Sequence, residues 1–147
     1  MKKILLSITS LILLSQGSFA VDSKMQTREL PQAEMIKQNK QIVALVAKEF
    51  NKTLPQSIDK YTQLVKVEAK GSTLLYIYEI NTGAKSDEAV QKEDRTRMKK
   101  AVTAGICRTS QRFLDAQINI SYLYRSAKSK VELFRFNVSK ADCPIVK

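Results

Sequence analysis

From Cys107 to Cys143 the chain reads CRTSQRFLDAQINISYLYRSAKSKVELFRFNVSKADC, and the reading of this stretch decides the fold. Ile118, Ile120, Tyr122 and Tyr124 alternate with Asn119, Ser121, Leu123 and Arg125, the two-residue period of a strand. Ala127-Lys128-Ser129 supplies a turn, and Val131 to Val138 returns carrying Leu133, Phe134 and Phe136, so the stretch predicts a hairpin. Ahead of it, Ser110 is placed to cap a short helix bearing Phe113 and Leu114 and ending near Ala116-Gln117. The two bounding cysteines are the only ones in the chain. Whether they pair depends on the compartment, and the N-terminus speaks to that.

The first twenty residues, MKKILLSITSLILLSQGSFA, place Lys2 and Lys3 ahead of an apolar run from Ile4 to Leu14 and end small-x-small at Ser18-Phe19-Ala20. This is the layout of a secretory signal, with cleavage expected after Ala20. The apolar run is too short for a transmembrane helix, which takes about 20 such residues, and no second apolar segment follows. The sequence therefore predicts export to a periplasm-like space and no transmembrane segment. In an oxidising compartment an even cysteine count reads as a disulfide. A Cys107–Cys143 bridge would enclose the 35 residues between them, which the loop-entropy relation values at roughly 4 kcal/mol.

Working back from Cys107, the segment from about Asp87 predicts a helix that is highly charged at first and apolar later, capped by Ser86 with Asp87 and Glu88 in its first turn. Met98, Ala101, Val102, Gly105 and Ile106 form its buried stripe. Before it, Tyr61 to Ala69 and Thr73 to Asn81 read as two strands joined at Lys70-Gly71-Ser72, with Val65, Val67 and Ala69 sharing one face of the first. Leu74, Tyr76, Tyr78 and Ile80 share one face of the second and Leu75 and Ile77 the other, so that strand is expected inside the sheet. A helix from roughly Gln32 to Asn51 starts beside Pro31 and is closed by Pro55. Its stripe is Met35, Ile36, Ile42, Val43, Val46 and Phe50, broken by Asn39.

The expected organisation is a signal over residues 1–20, a flexible leader over 21–31 and a single α+β domain over 32–147. The element order, helix-strand-strand-helix-strand-strand, suits an antiparallel sheet of about four strands with helices packed on one face and one disulfide.

Chemistry is mostly excluded. With no histidine in the chain, Ser-His-Asp, Cys-His and histidine-zinc devices are impossible. Four glycines form no phosphate loop. The nearest carboxylate pairs, Asp87/Glu88 and Glu93/Asp94, sit in a charged helix that reads as a solvated face. The sequence predicts no enzyme, no metal and no cofactor. Of the 25 basic and 14 acidic residues, only two lysines fall in the signal, leaving the remainder at +9. That charge favours an anionic partner such as an acidic protein face, or serves solubility alone. No basic run interleaved with stacking aromatics appears, so nucleic acid is not expected.

The run Phe50 to Pro55 (FNKTLP), the strand LLYIYEI, the helix end Ala104-Gly105-Ile106-Cys107, the unit RFLDAQINISYLY and the closing Ala141-Asp142-Cys143-Pro144-Ile145-Val146-Lys147 together resemble the small exported pilotins of type II secretion, the Vibrio and enteric kind. The resemblance covers roughly residues 40–147. It implies that Cys107 and Cys143 match the family disulfide and that the sheet-and-helix body is a peptide-binding scaffold. It also implies a partner like the family's, a C-terminal helix of an outer-membrane secretin. Pilotins carry a lipidated cysteine at the mature N-terminus, whereas the corresponding residue here is Val21, so no lipid anchor is expected.

The function expected is therefore non-enzymatic: an exported, pilotin-like module that binds a helical or extended segment of an envelope or secreted protein. Tyr76, Tyr78, Tyr122 and Tyr124 are candidate anchors on an exposed face, with Lys99, Lys100, Arg108 and Arg112 as a basic rim. The same tyrosine spacing also describes ordinary sheet packing. An immunity or inhibitor protein that blocks a secreted toxin or cell-wall hydrolase is the competing function, using the Asn81–Lys85 loop or the Ala127–Lys130 turn. Attachment to anionic envelope polymers is a third.

Overall fold

The computed structural model describes residues 31–144. The signal expected over residues 1–20 lies outside the described residues, as do the leader up to residue 30 and residues 145–147. Helix α1 spans Gln32–Asn51, with Pro31 as its N-cap residue. Strand β1 is only Gln56–Ser57, and it follows the proline turn at Pro55. Strands β2, Thr62–Lys70, and β3, Thr73–Ile80, form the first hairpin, turning through Gly71 at φ +61°, a backbone state that glycine adopts without strain. Helices α2 (Asp87–Gln91), α3 (Thr96–Thr109) and α4 (Gln111–Asp115) precede the second hairpin, β4 (Asn119–Ser126) and β5 (Glu132–Val138). A turn of 3-10 helix at Lys140–Asp142 ends the described chain.

The five strands lie in the order β1-β2-β3-β4-β5. The α+β class, the two hairpins and the helix layer are as the sequence predicts. Two features of the sheet differ. There is a fifth strand, β1, too short to carry a period. And the central pair, β3 and β4, runs parallel, from Thr73 beside Asn119 to Ile80 beside Ser126. Hairpin periodicity fixes only the neighbours across a turn. The join between hairpins depends on the connection, and one of this length, holding three helices, permits a parallel crossover.

The helix expected over Asp87–Cys107 is two helices. Asp94 accepts the backbone N–H (2.9 Å) and the hydroxyl (2.7 Å) of Thr96, which starts α3 afresh. The Arg95 guanidinium donates to the carbonyls of Gln91 (2.8 Å) and Val90 (3.4 Å) at the end of α2 and of Leu133 (3.2 Å), which ties the junction of the two helices to the sheet's last strand. Ser86 caps α2 as expected, accepting from Ala89 N–H at 3.2 Å. Ser110 makes no side-chain cap on α4; its backbone carbonyl instead accepts from Phe113 and Leu114.

Helix α1 lies over β2 and β3, and α3 over β5. Between helices and sheet sits the core, centred on Val43, Val67, Leu74, Ile106, Ile120 and Val138. Leu64 pairs with Tyr78 but Lys66 with Ile77, so Val65 is an extra residue in β2. This bulge puts Leu64 and Val67 on the same side, at 5% and 1% exposure, while Val65 is only half-buried. The face expected to hold Val65, Val67 and Ala69 is thus shifted. Asn39, the break in the α1 stripe, is buried and donates to the Ala116 carbonyl at 2.6 Å, tying α1 to the end of α4. A buried amide is tolerable only when paired in this way.

Candidate partner-binding site

The four candidate tyrosines lie on the helix side of the sheet, not on an exposed face. Tyr78 and Tyr124 are each 7% exposed, and Tyr76 and Tyr122 are half-buried. Their alternation places them on the side of β3 and β4 that the helices cover, since Leu74 and Ile120 of the same faces are core residues. They form a continuous aromatic series across three strands. Phe50 meets Tyr76 at 5.6 Å, Tyr76 meets Tyr122 at 5.3 Å, and Tyr122 meets Tyr78 at 5.0 Å. Tyr78 stacks on Tyr124 at 4.8 Å, and Tyr124 on Phe134 at 4.8 Å. The Arg95 guanidinium closes the series 4.8 Å from the Phe134 centroid. Burial, then the neighbouring Tyr122, pushes the Tyr76 and Tyr124 phenols up to about 12. The same causes push Tyr78 higher still. These rings are held neutral and packed.

The basic candidates fall elsewhere. Lys99, Lys100 and Arg108 line a groove of about 1170 Å3 on the flank of α3 away from the sheet, whereas Arg112, exposed on α4, does not line it. Met98, Val102 and Ile106 of the same helix pack toward the core. The groove floor is Thr103, Ala104, Cys107 and Leu114, and its second wall is Lys140 to Pro144. Tyrosines and cations therefore belong to two separate surfaces.

The sequence points to the wall residues only indirectly. Ser139 and Asp142 form a capping box: the Asp142 carboxylate accepts the Ser139 N–H (2.8 Å) and hydroxyl (2.7 Å). Those bonds, the backbone one first, hold the Asp142 carboxyl below its ordinary value. Lys140 pairs with Asp115 of α4 at 2.9 Å. Cys107 and Cys143 are bridged, with their Cα atoms 5.6 Å apart. Once the bridge is accepted, the neighbours of Cys143 must face those of Cys107; S-x-x-D before it was the available signal.

A smaller polar recess of about 270 Å3 is lined by Asp59, Tyr61, Glu79 and Asn81, among others. Its carboxylates are committed. Asp59 accepts the N–H groups of Tyr61 (2.8 Å) and Thr62 (2.9 Å), and Glu79 is held between Arg125 and Lys130, each at 2.8 Å. Partial burial pushes the Glu79 carboxyl up, but the hydrogen bonds from Lys130 and Arg125 together hold it below its ordinary value. Among the described residues, no three His, Cys, Asp or Glu side chains are grouped to hold a metal ion. No described helix is long and apolar enough to cross a membrane.

A family profile described as a domain of unknown function, DUF8479, matches residues 36–134. No curated protein matches the sequence. Among solved structures, the chain is similar to a candidate secreted protein of Pseudomonas aeruginosa (TM-score 0.67, 12% identity, 75% of this chain and 96% of that one). It is also similar to the pilotin EpsS of the Vibrio vulnificus type 2 secretion system (TM-score 0.62, 13% identity, 76% and 97%). The type II secretion pilotin AspS of Vibrio cholerae aligns with a TM-score of 0.58 at 21% identity, again over 76% and 97% of the two chains. At these identities the likeness establishes the fold: the pilotin resemblance read from the sequence holds at the level of architecture.

Proposed function

Because the chain belongs to the DUF8479 family and has the fold of type II secretion pilotins, we propose that it is a pilotin-like, non-catalytic protein-binding module. It is exported as one domain over residues 32–147 and takes a segment of an envelope or secretion-system protein. The observation that carries this reading is the groove between α3, α4 and the Lys140–Pro144 wall: concave, floored by apolar and small side chains, and rimmed by Lys99, Lys100 and Arg108. Concave, mainly apolar surfaces with a few placed polar groups are where proteins take ligands. Tyr76 and Tyr122, with Phe50 at 39% exposure, form a second accessible surface through which the same partner could be held.

Photo-crosslinking in an envelope fraction tests the reading. A crosslinking residue at Thr103 in the groove, at Tyr76, or at Lys66 on the far face of the sheet should give a discrete protein adduct from one of the first two positions and none from Lys66. A secretion-system component in the adduct supports the pilotin-like role, and a toxin or cell-wall hydrolase would favour the inhibitor role instead. Recovery of polyanions alone would overturn both.

A further inference from the structure

We infer that the outer edge of β5 takes an acidic, extended segment of a partner protein as a sixth, antiparallel strand. This surface is separate from the groove and from the tyrosine series, and it stands whichever of those holds the pilotin-like partner. Its basis is the direction in which the last hairpin points its backbone. Asn119 donates its N–H to the Ser72 carbonyl just before β3 (3.0 Å), and Ala127 donates to Ile80 at the end of β3 (2.9 Å). Backbone groups alternate in direction along a strand, so the odd-numbered residues of β4 face β3, and Ile120, Tyr122 and Tyr124 face β5. Their partners Val138, Phe136 and Phe134 point inward. Arg135 and Asn137 therefore direct their N–H and C=O groups away from the sheet, and those four groups have no hydrogen-bond partner among the described residues. Such an edge is a template for an added strand. At the opposite edge, by contrast, the Asn51 carboxamide holds both backbone groups of Val67.

The opening is bounded on both sides, which selects the direction of the added segment. Arg95 donates to the Leu133 carbonyl (3.2 Å) and Gln91 to the Glu132 carbonyl (2.7 Å). At the other end, the Ser139 N–H is held by the Asp142 carboxylate and its carbonyl by the Asp142 N–H. Two antiparallel residues, one across from Arg135 and one across from Asn137, make all four bonds within a three-residue segment. A parallel segment makes the same four only by reaching two residues to either side of the point opposite Phe136, toward both closed ends. Side chains set the composition. Arg135 commits Nε and Nη2 to Glu132 (3.2 and 2.8 Å), and its Nη1 has no acceptor among the described residues. The Asn137 amide oxygen accepts from Ser121 at 2.7 Å, and its NH2 group has no acceptor among the described residues. Both exposed side chains thus offer donors, and a carboxylate across from each fits. The residue between the two acids points toward the side that α3 covers, beside Phe136, where an apolar side chain fits.

The probe is a blocked pentapeptide, Thr-Glu-Val-Asp-Thr, added to the oxidised protein while amide hydrogen exchange is followed residue by residue by NMR. Without peptide, the Arg135 and Asn137 amides should exchange rapidly while those of Phe134, Phe136 and Val138 are protected. Saturating peptide should slow exchange at Arg135 and Asn137 about tenfold or more. N-methylation of the peptide's Glu and Asp removes the two donors that face β5 and should abolish the effect; N-methylation of its Val, whose N–H faces away, should not. A peptide with Lys in place of both acids should leave the two amides unchanged. Arg135→Pro removes one outward N–H at a position where an edge strand tolerates proline, and it should abolish the slowing at Asn137 with an unchanged circular dichroism spectrum. If that variant does not fold, the methylated peptides decide alone. No slowing by the acidic peptide, or equal slowing by the methylated or Lys forms, overturns the inference. Protection of Arg135 and Asn137 without peptide also overturns it: protection that fades on dilution assigns the edge to a second copy, and protection independent of concentration assigns it to the chain itself.

Discussion

Asn51, the last residue of α1, shows how much one side chain settles. Its carboxamide donates to the Val67 carbonyl at 2.7 Å and accepts the Val67 N–H at 3.0 Å. That is the pairing a neighbouring strand would provide, at a point on β2 that the two-residue β1, opposite Leu64 and Gln63, does not reach. The side chain closes a sheet edge that would otherwise be open to association. Asn51→Ala should therefore destabilise the protein by roughly 1–3 kcal/mol, the cost of leaving a donor and an acceptor without partners, and should raise its tendency to self-associate. Urea denaturation and light scattering measure the two effects; a stability change below about 0.5 kcal/mol, the size expected of an uninvolved surface site, would deny the role. In the sequence Asn51 is only the end of a helix before a proline. Its partner is sixteen residues on in β2, and nothing local announces which strand lies beside it. Asn39 was legible as an anomaly in an apolar stripe, but its acceptor, Ala116, lies seventy-seven residues away.

At the scale of elements, period-two alternation gave the hairpins and the inner position of β3 directly. What it could not give were the places where one residue is added or one contact is remote. The Val65 bulge moves the core face of β2, and Asp94 restarts a helix that periodicity runs together. The side of the tyrosines belongs to this class as well: alternation groups Tyr76 with Tyr78 and Tyr122 with Tyr124, but both faces of β3 carry apolar side chains, so only the path of the crossover decides which face the helices cover. Because the tyrosines are packed there, the fold prefers them neutral. In the unfolded chain phenols ionise near pH 10; in the folded state Tyr76 and Tyr124 are held to about 12 and Tyr78 higher. Above pH 10 the unfolded state thus binds fewer protons than the folded one, and stability falls as pH rises from about 10 toward 12. In a Tyr61→Phe/Tyr122→Phe background, which leaves only Tyr76, Tyr78 and Tyr124 of the five tyrosines, tyrosinate absorbance should appear together with loss of helical dichroism rather than before it. Tyr78→Phe should lessen the alkaline sensitivity. Ionisation of the tyrosines in a protein that keeps its full dichroism would show that the rings are not enclosed.

For the whole molecule, the bridge joins two regions of unequal standing. Among the described residues the last buried core residue is Val138, and nothing in the 3-10 turn that follows is buried. The wall from Ser139 to Pro144 is held to the body by the Lys140–Asp115 pair, whose side chains are 66% and 50% exposed and worth at most about 1 kcal/mol, and by the disulfide. Reduction should therefore do two separable things. It releases a loop with its ends 36 positions apart, which lowers stability by up to roughly 4 kcal/mol, a large share of the about 5–15 kcal/mol of an ordinary domain. It also frees the groove wall, of which only the partly buried Cys143 packs against the core. Denaturant titrations with and without reductant should differ by several kcal/mol, while the reduced protein at ambient temperature keeps its sheet and helix signals and loses order, seen as faster hydrogen exchange, only from Ser139 onward and at the end of α3. If hydrogen exchange instead rose evenly across β4 and β5, the bridge would be a support of the hairpin itself, and the groove would be an incidental consequence of it.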